Sequence, residues 1–149
     1  MLKIPQSVYD QLRRRGEAAY PQECCGILLG KFSGVVKLVE RTVAVDNSSA
    51  SPHNHYEISA KSLICTMREA RIAGLEILGF YHSHPEYPAK ASATDLAEAH
   101  WIGCSYVITE VRNGMAGATN SFVLAGVREE DKHFEAEEII LIPQPPPVQ

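Results

Sequence analysis

The segment EILGFYHSHP (76–85) constrains the fold more than any other stretch of the chain. A strand-forming run, EILGFYH (76–82), leads into a proline-punctuated loop, HSHPEYPAKA, with two histidines one residue apart at the junction. On extended backbone, residues two apart point to the same side, so His82 and His84 can converge on one ion. On a helix they would stand roughly 200° apart and could not. Pro85 biases His84 toward extended geometry and preserves the convergence. A sheet must therefore carry one strand up to this pair.

The rest of the chain supplies partners for that strand. Periodicity predicts a helix over about 6–19, with Val8, Leu12 and Ala19 toward one face and Pro21 ending it. CCGILLG (24–30) and VVKLVERTVAV (35–45) read as a hairpin turning near Ser33-Gly34. DNSSASPHNH (46–55) is a loop by composition, and Tyr56 to Ser59 reads as a brief strand. Ser59 offers an N-cap oxygen for a helix over about 60–73, with Leu63, Ile64, Met67 and Ala70 inward and Gly74 at its end. A third helix, about 93–101, follows Ser92; SYVITEV (105–111), SFVLAGVR (121–128) and HFEAEEIILI (133–142) read as strands. Helices interleaved with strands give an α/β (α+β) domain around one mixed sheet. One domain is the expectation at 149 residues, spanning 1–142, with an extended proline-rich tail over 143–149.

Composition removes several classes. With 45% hydrophobic and 21% charged residues, the chain is not of the disordered type. It is too short for a (β/α)₈ barrel, which needs about 250 residues. The formal charge of -4 argues against a nucleic-acid partner. The one basic run, Arg13-Arg14-Arg15, is flanked by Asp10 and Glu17 and reads as a solvated helix face. No run approaches the ~18 apolar residues of a membrane span, and no signal-peptide core is seen at the N-terminus. Cys24, Cys25, Cys65 and Cys104 form no CxxC pair and fit reduced, buried thiols in a cytoplasmic protein.

The histidines gain chemical meaning from Ser92 and Asp95. Asp95 falls in the first turn of the third helix, where a short loop can fold it back over His82 and His84. Two imidazoles and one carboxylate make a catalytic zinc set that leaves the fourth tetrahedral position for water. Zinc brings the pKa of such a water down to about 7. A base must take its proton, and Glu23 is a candidate from far upstream, standing just before an apolar strand that would lie beside the histidine strand; taken alone it reads as a solvated loop carboxylate.

Taken together, Glu23 in PQECCGILLG, then HSHP, six residues, Ser92, two residues and Asp95, resemble the JAMM/MPN metalloprotease motif. YPQECCGILLG, NSSASPHNHYEIS, GFYHSHPEYPAKASATDL and SYVIT are similar to the compact bacterial members, so the resemblance spans roughly residues 5–142. It implies a single MPN-like domain with a central curved mixed sheet and about three helices. It implies one zinc ion per chain on His82, His84 and Asp95, with Glu23 as general base and proton donor to the leaving amine. Ser92 would donate a hydrogen bond to the oxyanion. Family members hydrolyse peptide or isopeptide bonds next to ubiquitin or ubiquitin-like proteins. Small bacterial relatives process sulfur-carrier proteins after a C-terminal Gly-Gly. The chain lacks the long insertions around 85–92 with which eukaryotic members hold ubiquitin chains.

Blander readings exist for each residue. Ser92-Ala-Thr-Asp95 also fits a capping box. His53 and His55 form a second HxH in a polar loop and read as solvent-facing or substrate-lining. His100 should face away from Asp95. Cys24 and Cys25 follow the base directly but read as small packing residues, as do Cys65 and Cys104. Trp101 and Ile102 read as packing the third helix onto the sheet. The alternative to a peptidase is a non-catalytic MPN-fold binding module with a structural or vestigial zinc site. Two-metal phosphoester hydrolysis wants more ligands, and zinc deamination wants HxE with PCxxC. A homodimer is compatible with so small a domain, although no residue marks one.

Overall fold

A computed structural model describes residues 1–143. In chain order its elements are β1 (Leu2–Pro5), α1 (Gln6–Ala19), β2 (Cys25–Ser33), β3 (Val36–Val45), α2 (Ala60–Ala73), β4 (Glu76–Pro85), α3 (Ala93–Glu98), β5 (Ser105–Arg112), β6 (Met115–Ala125), β7 (His133–Glu137) and β8 (Ile139–Ile142). The eight strands form one mixed sheet in the order β7-β6-β5-β4-β2-β3-β1-β8. β4 runs parallel to β5, and β1 runs parallel to both β3 and β8; the other pairs are antiparallel.

The central strands are apolar without alternation because both faces of the sheet are covered. On one face Leu12 of α1 joins Leu2, Ile4, Leu28, Leu78, Tyr81 and Val107. On the other, Ala70 of α2 joins Ile27, Leu29, Phe80 and Tyr106. Leu28 of β2 thus belongs to the first core while its neighbours belong to the second. On β4, Leu78 is a bulged extra residue between the pairs Leu29–Ile77 and Leu28–Gly79. A bulge resets which side chains face which core. Beyond it Phe80, His82 and His84 share one face, and Tyr81 and Ser83 share the other.

Two glycines let the central strands approach. A Cβ at Gly26 would strike the Tyr81 ring, and one at Gly79 would strike the Ser105 carbonyl on β5.

The ends of the sheet meet. β7 and β8 are separated by Glu138 alone yet stand at opposite ends of the strand order, so the sheet has to curl until its edges adjoin. The seam is closed by the Leu2 amide, which donates to the Glu138 carbonyl at 2.9 Å. Lys37 on β3 pairs with Glu137 on β7 at 2.9 Å, both buried. Ser105 and Ser121 donate to the same carboxylate at 2.6 and 2.8 Å.

Several boundaries differ from expectation for identifiable reasons. β4 extends through Pro85, so His82 and His84 sit on the strand rather than at the start of a loop. Residues 56–59 are extended but pair with no strand. Glu57 instead donates to Asn47 Oδ1 at 3.0 Å and accepts from the Ser48 amide at 2.9 Å. The stretch 133–142 divides into β7 and β8, and 126–128 is not strand. β1 was not anticipated, because four residues carry no period.

α3 stops at Glu98, and Lys132 donates to the Ala97 and Ala99 carbonyls at its end, at 3.1 and 2.9 Å. Trp101 lies beyond the helix, edge-on to Phe80 at 5.4 Å, and Ile102 is exposed. α2 keeps its predicted caps: Ser59 Oγ accepts from the Ser62 amide at 3.1 Å, and Gly74 is left-handed at φ 70°. Its buried face is rotated, however. Thr66 and Ala70 face inward, with Leu63 partly so, while Ile64 and Met67 are half-exposed and Cys65 is exposed. Thr66 can be buried because its hydroxyl donates to the Ser62 carbonyl at 2.8 Å. The tail expected over 143–149 lies, but for Pro143, outside the described residues.

Candidate metal centre

His82 and His84 project from the end of β4, both almost fully buried. Their Nε2 atoms lie 3.0 Å apart. Asp95, in the first turn of α3, closes the third side. Its Oδ1 is 3.4 Å from His82 Nε2, and its Oδ2 is 3.2 Å from His84 Nε2. Glu23 stands two residues before β2, and β2 pairs with β4 so that Cys25 faces His82. Glu23 is itself buried. Glu23, His82 and His84 each offer a ligand atom within 4.8 Å of the others. Four residues spread over 73 positions of sequence are thereby gathered by one strand pairing and one helix start.

Local structure explains each placement. The Ser83 hydroxyl accepts from the Cys24 amide at 2.8 Å, fastening the segment that carries Glu23 to the histidine strand. The Glu23 amide donates to the Pro52 carbonyl at 2.7 Å, and Asn47 Nδ2 donates to the Glu23 carbonyl at 3.1 Å. Ser92 and Asp95 form a capping box. The Asp95 amide donates to Ser92 Oγ at 3.0 Å, and the Ser92 amide donates to Asp95 Oδ2 at 2.9 Å. Capping and site formation are therefore one arrangement here. Because Ser92 Oγ acts as acceptor in the cap, its O–H remains available as a donor.

The donor set fits a divalent metal ion. Pro88 O, 2.7 Å from His84 Nδ1, can only accept, so Nδ1 carries the proton and Nε2 presents its lone pair inward. That lone pair faces another imidazole nitrogen and a carboxylate oxygen, a grouping that needs a cation or shared proton between them. His82 Nδ1 is buried with no hydrogen-bond partner among the described residues. Its ring is held instead by Tyr56, stacked at 4.2 Å between centroids.

Electrostatics separate the two carboxylates. Burial raises the Glu23 carboxyl above its ordinary value, an effect only partly opposed by the histidines and by the Tyr87 hydroxyl. Asp95 goes the other way. Burial would raise it, but a proton shared with His82 and His84 and the hydrogen bond from the Ser92 amide outweigh that and hold it well below the usual carboxylate range. Burial pushes the Cys25 thiol up to about 12 and raises Cys24 as well, which leaves neither poised as a thiolate nucleophile.

Two neighbours were invisible in the sequence pattern. Tyr56 and Tyr87 stack on His82 and His84 respectively, Tyr87 at 4.0 Å between centroids. His55, in the second HxH, pairs with the Glu98 carboxylate at the end of α3, at 2.7–2.8 Å. A carboxylate accepts, so His55 Nε2 is the donor, and the 46–55 loop is tied across to the helix that bears Asp95. His53 only approaches the Pro21 carbonyl, at 3.5 Å, and His100 is exposed on the rim of a separate cavity. That cavity, about 440 Å³, has an apolar floor of Phe80, Trp101 and Tyr106 and adjoins the site through Tyr56.

Known proteins resemble this chain in both sequence and shape. A family described as prokaryotic homologs of the JAB domain matches residues 5–125. The desampylase of Haloferax volcanii is 33% identical over 102 residues, 68% of this chain and 72% of that protein. A protein of Thermus thermophilus named probable TtuB-protein conjugate cleaving protease is 30% identical over 101 residues, 68% of this chain and 65% of that protein. A solution structure from Desulfitobacterium hafniense superposes with a TM-score of 0.84 at 28% identity, covering 97% of this chain and 94% of that one. Another, from Salinibacter ruber, gives 0.72 at 36% identity, covering 95% and 92%.

Proposed function

The chain belongs to the prokaryotic JAB-domain family, and from that membership we propose that it is a zinc-dependent isopeptidase. Its substrate would be a ubiquitin-like or sulfur-carrier protein, cut at the peptide or isopeptide bond after a C-terminal Gly-Gly. The observation that carries this reading is the convergence of Glu23 on the His82–His84–Asp95 cluster, with Ser92 at its edge.

His82, His84 and Asp95 would hold the ion, one per chain. When bound, zinc supplies a Lewis acid for the scissile carbonyl and acidifies water to a pKa of about 7. Glu23 takes the proton of the attacking water and returns it to the leaving nitrogen, a task suited to a carboxylate raised by burial. Ser92 donates its free O–H to the carbonyl oxygen as that oxygen gains charge. An extended tail can lie beside residues 55–58. Asn47 and Ser48 engage the backbone of His55 and Glu57 on one side of this segment, and the alternate groups of Tyr56 and Ile58 face the other. Glycines before the bond suit the narrow approach. The four cysteines are free thiols, which supports a reducing, cytoplasmic setting. Among the described residues no helix is long and apolar enough to cross a membrane.

The test is cleavage of a Gly-Gly carrier fused to a C-terminal extension or joined to a lysine, followed by mass spectrometry. Glu23→Gln should keep the zinc and lose at least about 100-fold in rate. Retained turnover would remove Glu23 as the base. A zinc-loaded wild type that binds carriers without cutting them would instead favour the non-catalytic binding module.

A further inference from the structure

Glu23 is buried, yet its carboxylate is held by a single side chain. Tyr87 Oη donates to Glu23 Oε2 at 2.5 Å, across 64 residues of sequence. No hydrogen bond reaches Oε1 among the described residues. The Tyr87 ring also stacks nearly parallel on His84, 4.0 Å between centroids and 18° between planes. One side chain thus touches both the acid–base residue and a metal-binding histidine.

The placement of Tyr87 is over-determined. Glu86, directly before it, is one of only two non-glycine residues with positive φ among the described residues, at 65°. Such a conformation persists only where its surroundings enforce it. Here the Glu86 carboxylate accepts from Tyr20 Oη at 2.7 Å and from the Asn113 amide at 2.6 Å, while its own amide donates to the Val111 carbonyl at 2.8 Å. This turn takes the chain off β4 and folds Tyr87 back over the histidine it has just passed. One residue further on, the Pro88 carbonyl receives His84 Nδ1.

We propose that Tyr87 is a positioning residue for the reaction proposed above. Its hydroxyl engages one oxygen of Glu23 and leaves the other, Oε1, as the oxygen that accepts and returns the proton. The inference rests on the isopeptidase reading. A glutamate turns about three side-chain torsions, and burial alone does not choose among them. The phenol hydroxyl fixes the carboxylate plane before substrate arrives, and small errors in such placement are costly in rate.

Tyr87→Phe removes the hydroxyl and retains the stack on His84. The expected result with a Gly-Gly carrier fusion is a kcat lower by about tenfold or more, with KM and zinc per chain unchanged. In a Glu23→Ala background the same change should cause no further loss. A merely structural role would move KM, zinc content or both. Unchanged kcat in Tyr87→Phe, or a loss matched by zinc loss, overturns the proposal. The melting temperatures of Tyr87→Phe, Glu23→Ala and the double variant, without metal, read the same bond independently of turnover. Their shifts should be non-additive, and strict additivity overturns the proposal. A zinc-loaded wild type with no turnover, beside non-additive melting shifts, would sink the isopeptidase reading and the catalytic consequence drawn from it, while leaving the Tyr87–Glu23 bond established.

Discussion

Ser92 and Asp95 hold each other by reciprocal hydrogen bonds, Asp95 N–H to Ser92 Oγ at 3.0 Å and Ser92 N–H to Asp95 Oδ2 at 2.9 Å. The carboxylate that faces two histidines is thus also half of a helix cap. Structure and chemistry at Ser92 can be separated by substitution. Ser92→Ala should cost about 1 kcal/mol in stability and Ser92→Gly only a few tenths. Both should lose about 10²–10³ in kcat if the hydroxyl serves the oxyanion. Melting temperature read beside kcat tests this, and a glycine variant that regains activity together with stability would reduce Ser92 to a cap.

Zinc should be present at about one ion per chain in untagged protein purified without chelator, as measured by elemental analysis. His84→Ala should hold none, because His84 Nε2 is the best-oriented lone pair of the site. Zinc retained by that variant would point to His53 and His55 and require another mechanism.

Stability should fall with acid through Glu137. Burial alone would raise its carboxyl, but hydrogen bonds from Ser105, Lys37 and Ser121 hold it below the ordinary value. A depressed folded value means the contribution is complete above the unfolded pKa, about 4.3, and disappears as pH drops through the folded one. Melting curves from pH 7 to pH 3 should therefore drop more steeply for the wild type than for Glu137→Gln. At pH 7 that variant should be less stable by about 3–5 kcal/mol, since it strands the buried Lys37. Parallel curves would show that the pair does not carry the acid sensitivity.

Glycine substitutions in the central strands should differ in severity. At Gly26 the obstacle is the ring of Tyr81, which can move, and about 1–3 kcal/mol is expected. At Gly79 the obstacle is the Ser105 backbone, so the β4–β5 pair itself must part. Gly79→Ala should melt lower than Gly26→Ala and lose zinc affinity with it, as chelator competition would reveal.

The parts of the site that were legible in the sequence are those whose chemistry repeats at short range. His82 and His84 declare their convergence through strand geometry, and Ser92 and Asp95 through helix-start spacing. Glu23 needed the family resemblance, because nothing local ties it to residues 59 positions later. Tyr56 and Tyr87 were missed because stacking leaves no mark on spacing. The inward face of α2 was misjudged for a related reason. Thr66 buries a hydroxyl satisfied within its own helix, while the more apolar Ile64 and Met67 stay outside. The run 133–142 looked like one strand since nothing in its composition says that Glu138 parts two edges.

The pairing of Leu2 with Ile139 sets the order in which this domain can assemble. It encloses nearly the whole described chain in one loop, and closure entropy grows with the logarithm of loop length. Contacts of such sequence separation slow folding. A nascent chain up to β7 has already emerged with Glu23, His82, His84, Ser92 and Asp95 and can seat β1 beside β3, yet still lacks β8, which covers the other side of β1. The candidate site residues are thus synthesised before β8 can complete the sheet.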